Sequence, residues 1–90
     1  MYLHIGNNKN IRTKNIIGIF DTDNATVSET TRAFLKNYEK SGKVDSAGNE
    51  IPKSFVLYCE YGVDKVCFSA LSVATLQGRI ESGATDKEQL

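Results

Sequence analysis

The residues whose types and spacing could do chemistry are cations near the start of this 90-residue chain. Lys9, Arg12 and Lys14 occur with no acid among the first twenty residues, so that stretch carries a net charge of +3 and the remainder carries −3. Lys and Arg neutralise phosphates, and the neighbouring Asn15 has an amide that can pair with an adenine edge. The pattern predicts a nucleic-acid-binding surface here. The alternative is a strand edge that carries cations against aggregation.

One copy of the chain offers few phosphate contacts. Two or three cations are too few for tight binding at physiological salt, because affinity depends on the number of phosphates neutralised. The net charge of zero also argues against a strongly basic nucleic-acid binder. If several copies present these cations on one rim, the contacts act together and the affinity multiplies. We therefore expect a homo-oligomer whose DNA binding is weak in one copy and depends on avidity.

No constellation of residues points to catalysis or to a bound ion. His4 is the only histidine, and no acid or cysteine stands at a motif spacing from it. Cys59 and Cys67 form no CxxC motif. Asp21 and Asp23 lack the glycine and the downstream glutamate of a calcium loop, so they are interpreted as helix-entry residues. The sequence predicts a protein that is not an enzyme, with no catalytic residue, metal, cofactor or evident small-molecule substrate.

Size and composition indicate one small globular domain. Ninety residues with 40 % apolar content fit a single core. Two cysteines make no disulfide framework, and neither a signal peptide nor an apolar run of membrane-spanning length is recognisable. We therefore expect a cytoplasmic protein without a membrane partner. The domain is expected to cover residues 1–82, and residues 83–90 are expected to form a flexible tail.

Periodicity and capping signals predict an α+β fold. It consists of a small, antiparallel-rich sheet of about four to five strands with two helices, in the order ββ-β-α-ββ-α. Leu3 and Ile5 of the first strand should face the core. The other predicted elements are strands at 10–12 and 16–20, a helix from a capping box at Thr26–Glu29 to Gly42, a loop at 43–52, a hairpin at 55–70, and a helix from Ser72 to Gly83.

The predicted hairpin suggests a subunit contact. A type II′ turn at Gly62-Val63 places Glu60 opposite Lys65 and separates the side chains into two faces. The face that contains Phe55 is entirely apolar, and the other has an apolar centre ringed by charge. Such a centre is an unusual surface to leave in water. Strand 16–20 is apolar on both faces and also needs cover. The predicted oligomer interface comprises Val56, Tyr58, Cys67, Ile16 and Phe20.

Several segments follow a known family pattern. They are YLHIG at 2–6, TKNIIGIFD at 13–21, FSALS at 68–72, and the pairs Thr75-Leu76 and Arg79-Ile80. With these motifs the chain resembles the extracellular-matrix regulatory (Rem) family of spore-forming bacteria over about residues 1–82, and the RemB branch more than the RemA branch. The resemblance implies a small cytosolic regulator of biofilm-matrix genes. For the RemA branch it also implies ring-like oligomers with a LytTR-like fold that bind DNA through arginines.

The resemblance extends the list of binding residues by one. One DNA-contacting arginine of the RemA branch corresponds to Lys14 or Asn15, so a cation is retained there. An arginine pair corresponds to the loop at 49–53, where Glu50 and Ile51 depart from the pattern and Lys53 is the one cation. Lys53 therefore joins the predicted nucleic-acid-binding residues.

Two functional hypotheses follow from the sequence. The first is a DNA-binding or DNA-associated transcriptional regulator of matrix genes that acts as a homo-oligomer. The second is an oligomeric protein-interaction module without direct DNA binding. The lost arginines and the zero net charge favour the second, and the charged N-terminal stretch favours the first.

Overall fold

The structure is a computed structural model that describes residues 1–25, 28–48 and 50–89, with the backbone alone at residue 25 and residues 82–89. The predicted small α+β class is confirmed. In this part of the chain the elements are β1 (Tyr2–Gly6), β2 (Lys9–Arg12), a 3₁₀ turn (Thr13–Asn15), β3 (Ile16–Asp21), α1 (Thr22–Ala25), α2 (Glu29–Lys40), β4 (Val44–Ala47), β5 (Ser54–Glu60), β6 (Val63–Ser69) and α3 (Val73–Gln89).

The strands form two sheets. β1 and β2 are an antiparallel hairpin, and the other four strands form a sheet in the order β3-β5-β6-β4. β5 is antiparallel to both of its neighbours, whereas β4 is parallel to β6. Because β3 and β4 lie at opposite edges, α2 crosses the sheet between them and packs against β4 and β6.

The hydrophobic core lies between the four-stranded sheet and a layer made of the β1–β2 hairpin and α3. As predicted, Leu3 and Ile5 of β1 are buried, at 1 % and 0 % exposure. Leu76 reaches this core from α3. The hairpin is held there by Ser69, whose hydroxyl donates to the Ile5 carbonyl at 2.7 Å. The buried members of the core are Leu3, Ile5, Ile11, Ala47, Val56, Tyr58, Cys67 and Leu76.

The expectation that Val56, Tyr58 and Cys67 face a second subunit is corrected by this packing. The three side chains are 0 %, 1 % and 0 % exposed within a single chain, because the hairpin and α3 cover them. Burial also raises the pKa of the Cys67 thiol to about 11, so this cysteine is inert at neutral pH. The apolar centre of this face is a core, and its partner is the chain itself.

Strict alternation predicts Ile17 and Ile19 on one face of β3 and Ile16 and Phe20 on the other, and a bulge in the strand corrects this prediction. Ile16 pairs with Tyr58 and Gly18 with Leu57, so Ile17 is an extra residue in the strand. An extra residue shifts the alternation of side chains by one. Ile16 and Ile19 consequently both pack against the core, and Phe20 pairs with Phe55 on the other face. Ile16 therefore serves this chain's own core, whereas Phe20 stays 41 % exposed.

The β5–β6 turn lies one residue earlier than predicted. Tyr61 and Gly62 have φ of 52° and 78°, the two positive values of a type I′ turn, where a type II′ turn at Gly62-Val63 was expected. Glu60 consequently pairs with Val63, and Tyr58 pairs with Lys65. The register differs from the prediction by two residues, so the two side-chain faces stay as predicted. Cys59 and Cys67 lie on opposite faces and are free thiols.

Three further element bounds differ from the prediction. The expected loop at 43–52 contains β4, a short and polar strand of the kind found at sheet edges. α3 begins after Ser72 as predicted but continues to Gln89, because one glycine such as Gly83 costs about 1 kcal/mol and does not by itself end a helix. The Thr26 cap lies outside the described residues, and the N-cap of α2 is Ser28.

Replacing Ser69 with alanine should destabilise the domain by about 1 to 3 kcal/mol. The Ser69 hydroxyl donates to the Ile5 carbonyl and accepts from the Leu71 N–H, so its loss leaves two backbone groups without this partner in a buried site. Urea unfolding measures the change. Ser41→Ala, at the exposed end of α2, is the matched control and should change stability by less than about 0.5 kcal/mol. Equal effects of the two changes would contradict the anchoring role of Ser69.

Candidate nucleic-acid interface

Arg12 lies at the open end of the β1–β2 hairpin. It pairs across the hairpin with Tyr2, because Leu3 and Ile11 take the inward positions next to them. The guanidinium carbon lies 5.9 Å from the centre of the Tyr2 ring, which is a cation–π distance. Arg12 is exposed and makes no salt bridge to any carboxylate in the described ranges. Its N–H groups are available to a phosphate.

Lys14 and Asn15 follow Arg12 in the 3₁₀ turn. The turn is tied to the start of the chain, since the Thr13 N–H donates to the Met1 carbonyl at 3.2 Å. Lys14 is exposed, and its ammonium has no partner among the residues that the structure describes. Asn15 is half-buried, and its amide also lacks a hydrogen bond there. Arg12, Lys14 and Asn15 therefore form one cluster, named the N-terminal basic cluster below.

Lys9 is not part of this cluster. Its ammonium lies 3.0 Å from a carboxylate oxygen of Asp45 and 5.9 Å from the centre of the Tyr58 ring. The hydrogen bond that the Lys9 ammonium donates to Asp45 raises the pKa of Lys9 and lowers the pKa of Asp45. The Lys9 side chain joins the hairpin to β4 through this ion pair, and its role as a phosphate contact stays a prediction.

Lys53 is exposed but lies at the other end of the sheet. It precedes Ser54, which pairs with Asp21 at the far end of β3, whereas Ile16 next to the cluster pairs with Tyr58. The five residue steps from Lys53 to Tyr58 correspond to roughly 17 Å along the strand. That separation exceeds the screening length of about 8 Å at physiological salt. Within one chain, Lys53 and the N-terminal basic cluster are two separate positive sites.

Arg12 and Asn15 of the cluster line a cleft of about 290 Å³ between three element ends. The hairpin end, the 3₁₀ turn and the tip of β5–β6 supply its lining, which consists of Tyr2, Asn10, Arg12, Asn15, Glu60 and Tyr61. Sequence reasoning missed both tyrosines. The prediction set no register for the first hairpin, and Tyr2 could have been found only from the register that pairs it with Arg12. Tyr61 could not, because the predicted turn placed it in a strand.

The described residues form no cluster of metal ligands, since no three His, Cys, Asp or Glu side chains come together among them. His4 instead lies 2.9 Å from the Asn10 amide oxygen through its Nδ1. No helix of the described ranges is long and apolar enough to cross a membrane.

Comparison with known proteins identifies the family. No family model matches the chain. The chain is 36 % identical over 81 residues to the extracellular matrix regulatory protein B of Bacillus subtilis strain 168, an alignment that covers 90 % of this chain and 91 % of that protein. The chain belongs to the Rem family. The predicted family and its RemB side are confirmed, and the relative's name describes a regulator.

Membership of the Rem family does not by itself assign a function to any residue of this chain. The N-terminal basic cluster falls within the segment TKNIIGIFD and the strand before it, which carried part of the resemblance. In the loop where the resemblance implies an arginine pair for the RemA branch, this chain has Glu50 and Ile51, and both side chains are exposed. The LytTR likeness stays a prediction.

The Lys9–Asp45 pair predicts a pH-dependent part of the stability. Because the pKa of Asp45 is lowered below its ordinary 3.8 in the folded state, the stabilisation is present above that value and is lost as the pH falls through the lowered pKa. Asp45 is 58 % exposed, so the stabilisation at neutral pH should be below about 1 kcal/mol. Unfolding free energies of wild type and Asp45→Asn should differ near neutral pH and converge in acid. Asp64→Asn, on an exposed carboxylate of β6, is the control, and a pH-independent difference for Asp45→Asn would contradict the pairing.

Proposed function

We propose that this Rem-family protein is a non-catalytic transcriptional regulator of extracellular-matrix genes that binds DNA as a homo-oligomer. The observation that carries the proposal is the N-terminal basic cluster. Arg12 and Lys14 are exposed, adjacent and free of carboxylate partners in the described ranges, while Lys9 is used by the fold. Free cations on one end of a domain are the electrostatic footprint of phosphate binding. The name of the Bacillus subtilis relative supports a regulatory role.

The two cations of the N-terminal basic cluster are too few for tight binding by one copy, so the proposal requires assembly. Each phosphate contact contributes about 0.9 to the slope of log affinity against log salt, so one copy binds weakly and with a shallow salt dependence. Several copies with their clusters on one side add these contacts without new chemistry. The proposal therefore includes the oligomer, since a single copy carries too little positive charge on this surface.

The outer edge of β3 supports the assembly. β3 pairs with β5 on one side and with no other strand among the described residues, so its second edge is open. Ile17 and Phe20 are 57 % and 41 % exposed on this strand. The Phe20 ring lies over Gly18, where a Cβ would come within 2.8 Å of it, and stacks on Phe55 at 5.1 Å. An open, apolar strand edge of this kind favours association with another chain.

The DNA-binding prediction is tested with a mobility-shift salt series. Arg12→Ala and Lys14→Ala should each weaken duplex binding at every salt concentration and lower the salt slope by about one per engaged copy, because each removes one phosphate contact. Lys53→Ala is the matched control, an exposed cation at the far end of the sheet, and should change less. Absence of binding at low salt, or an unchanged affinity in the Arg12/Lys14 double variant, would contradict the proposal.

The assembly prediction concerns Phe20. Phe20→Asp places a charge on the open β3 edge and should shift the mass measured by light scattering toward the monomer. Val63→Asp is the control, since Val63 has a similar exposure of 40 % but lies at the β5–β6 tip. A wild-type protein that is strictly monomeric at micromolar concentration, or a Phe20→Asp variant with unchanged mass, would refute this interface.

A second candidate function is an oligomeric protein-interaction module that does not touch DNA. The loop residue Ile51 favours it, because this side chain is 88 % exposed where the RemA branch would present an arginine. An exposed large apolar residue suits a protein partner better than a phosphate. An oligomer that binds no DNA at low salt would favour this second function over the first.

A further inference from the structure

We infer that the cleft beside Arg12 binds an unpaired nucleotide, by stacking its base on tyrosine and holding its phosphate with the guanidinium. The inference rests on the proposed function in one respect, since Arg12 is the phosphate contact in both. It goes further in naming what is recognised: an unstacked base, as in single-stranded DNA or RNA.

Tyr61 has a strained backbone conformation, and no packing of its side chain compensates for that strain. It is the first central residue of the β5–β6 turn, with φ of 52°, and it is 97 % exposed. Positive φ in this turn favours Asn, Asp or Gly, and a bulky residue there costs roughly 1 to 3 kcal/mol. A side chain with almost no contact area returns none of that energy through packing. Strained residues of this kind concentrate at ligand-binding sites.

A second aromatic residue lines the same cleft. Tyr2 is 62 % exposed at the hairpin end, and the cleft contains both Tyr2 and Tyr61. Exposed tyrosines offer large apolar faces at a small entropic cost, which is why they recur where a protein stacks on a flat ligand. Successive bases stack on such side chains with little dependence on their identity.

The charges of the cleft select an anionic partner. Arg12 lies over Tyr2 and keeps its N–H edge free, as described above. The cleft's carboxylate, Glu60, is already bound to Lys65 at 2.9 Å, so it does not neutralise Arg12. The free amide of Asn15 adds a donor and an acceptor for a base edge. A flat aromatic ring with a phosphate attached matches this set of groups.

The geometry favours unpaired nucleotides over a duplex. In double-stranded DNA the faces of the bases are covered by their neighbours, so a tyrosine ring can stack only on a base that has left the helix. The cleft volume of about 290 Å³ lies at the lower end of ligand-binding sites, which suits one base and excludes a large cofactor. Two sources share this chemistry, a single strand and a free mononucleotide.

The decisive variant is Tyr61→Asn. Asn-Gly is the preferred type I′ dipeptide, so this change should raise the melting temperature while it removes the stacking face. Binding of a labelled single strand of about 4 to 16 nucleotides, followed by fluorescence anisotropy, should weaken by roughly fivefold or more. Tyr61→Phe retains the face and should bind like wild type. Ile51→Ala removes an equally exposed apolar side chain at the far end of β5 and should also have no effect.

Three probes separate the outcomes. They are the single strand, a duplex of the same sequence, and adenosine 5′-monophosphate as a competitor. Tighter binding of the single strand than of the duplex, lost in Tyr61→Asn, supports the inference, and competition by the mononucleotide then shows that a free nucleotide suffices. Equal binding of the duplex with no effect of Tyr61→Asn overturns the inference and leaves the proposed function standing. Binding of the single strand without binding of the duplex supports the inference and contradicts the proposed duplex-DNA binding. Absence of binding to either form refutes both the inference and the proposed function.

Discussion

The fold depends on covering one face of the four-stranded sheet with the β1–β2 hairpin. Tyr58 is the largest side chain of that face, and it is buried only because the hairpin and α3 lie over it. Polar contacts fix the hairpin in place: Ser69 donates to Ile5, the Arg79 guanidinium donates to the His4 carbonyl at 2.8 Å, and Lys9 pairs with Asp45. Once the hairpin is anchored, its open end must lie beside the 3₁₀ turn and the β5–β6 tip. The position of Arg12 is thus a consequence of core packing.

Much of the local structure could be predicted from the sequence because it is encoded locally. Alternation in β1 places Leu3 and Ile5 correctly, and the capping signal at Ser72 marks the start of α3. The face of the β5–β6 hairpin that becomes the core could not be predicted, because both faces carry apolar residues. The choice is made by what packs on them, and the hairpin that covers Val56 lies more than forty residues away in the chain. The bulge at Ile17 and the parallel edge strand β4 are tertiary features of the same kind.

The candidate site was only partly accessible to sequence reasoning for two different reasons. The charges of Arg12 and Lys14 can be read from the sequence, so both residues could be predicted. Which cations form ion pairs in the folded chain cannot be read in this way. Asp45, which neutralises Lys9, lies thirty-six residues further along the chain. Lys53 lies five residues before Tyr58, the β5 residue that pairs next to the cluster. Tyr61 was missed because turn rules exclude a bulky residue from positive φ. A rule that describes the least strained turn fails where a bulky residue occupies the position with positive φ, as Tyr61 does here.

The division of labour among the cations explains how a chain of zero net charge can still present a positive surface. Lys9 and Lys65 each lie within 3.0 Å of a carboxylate, so their charges are neutralised by ion pairs within the chain. Arg12 and Lys14 have no such partner in the described ranges, and Glu60, the carboxylate that lines the cleft with Arg12, is bound to Lys65. Screening confines each charge to about 8 Å in physiological salt, so the local pairing decides what a ligand meets and the sum over the chain does not. An overall neutral protein can therefore present a positive surface locally, as it does at the end that holds Arg12, and that end also holds the exposed Tyr2 and Tyr61.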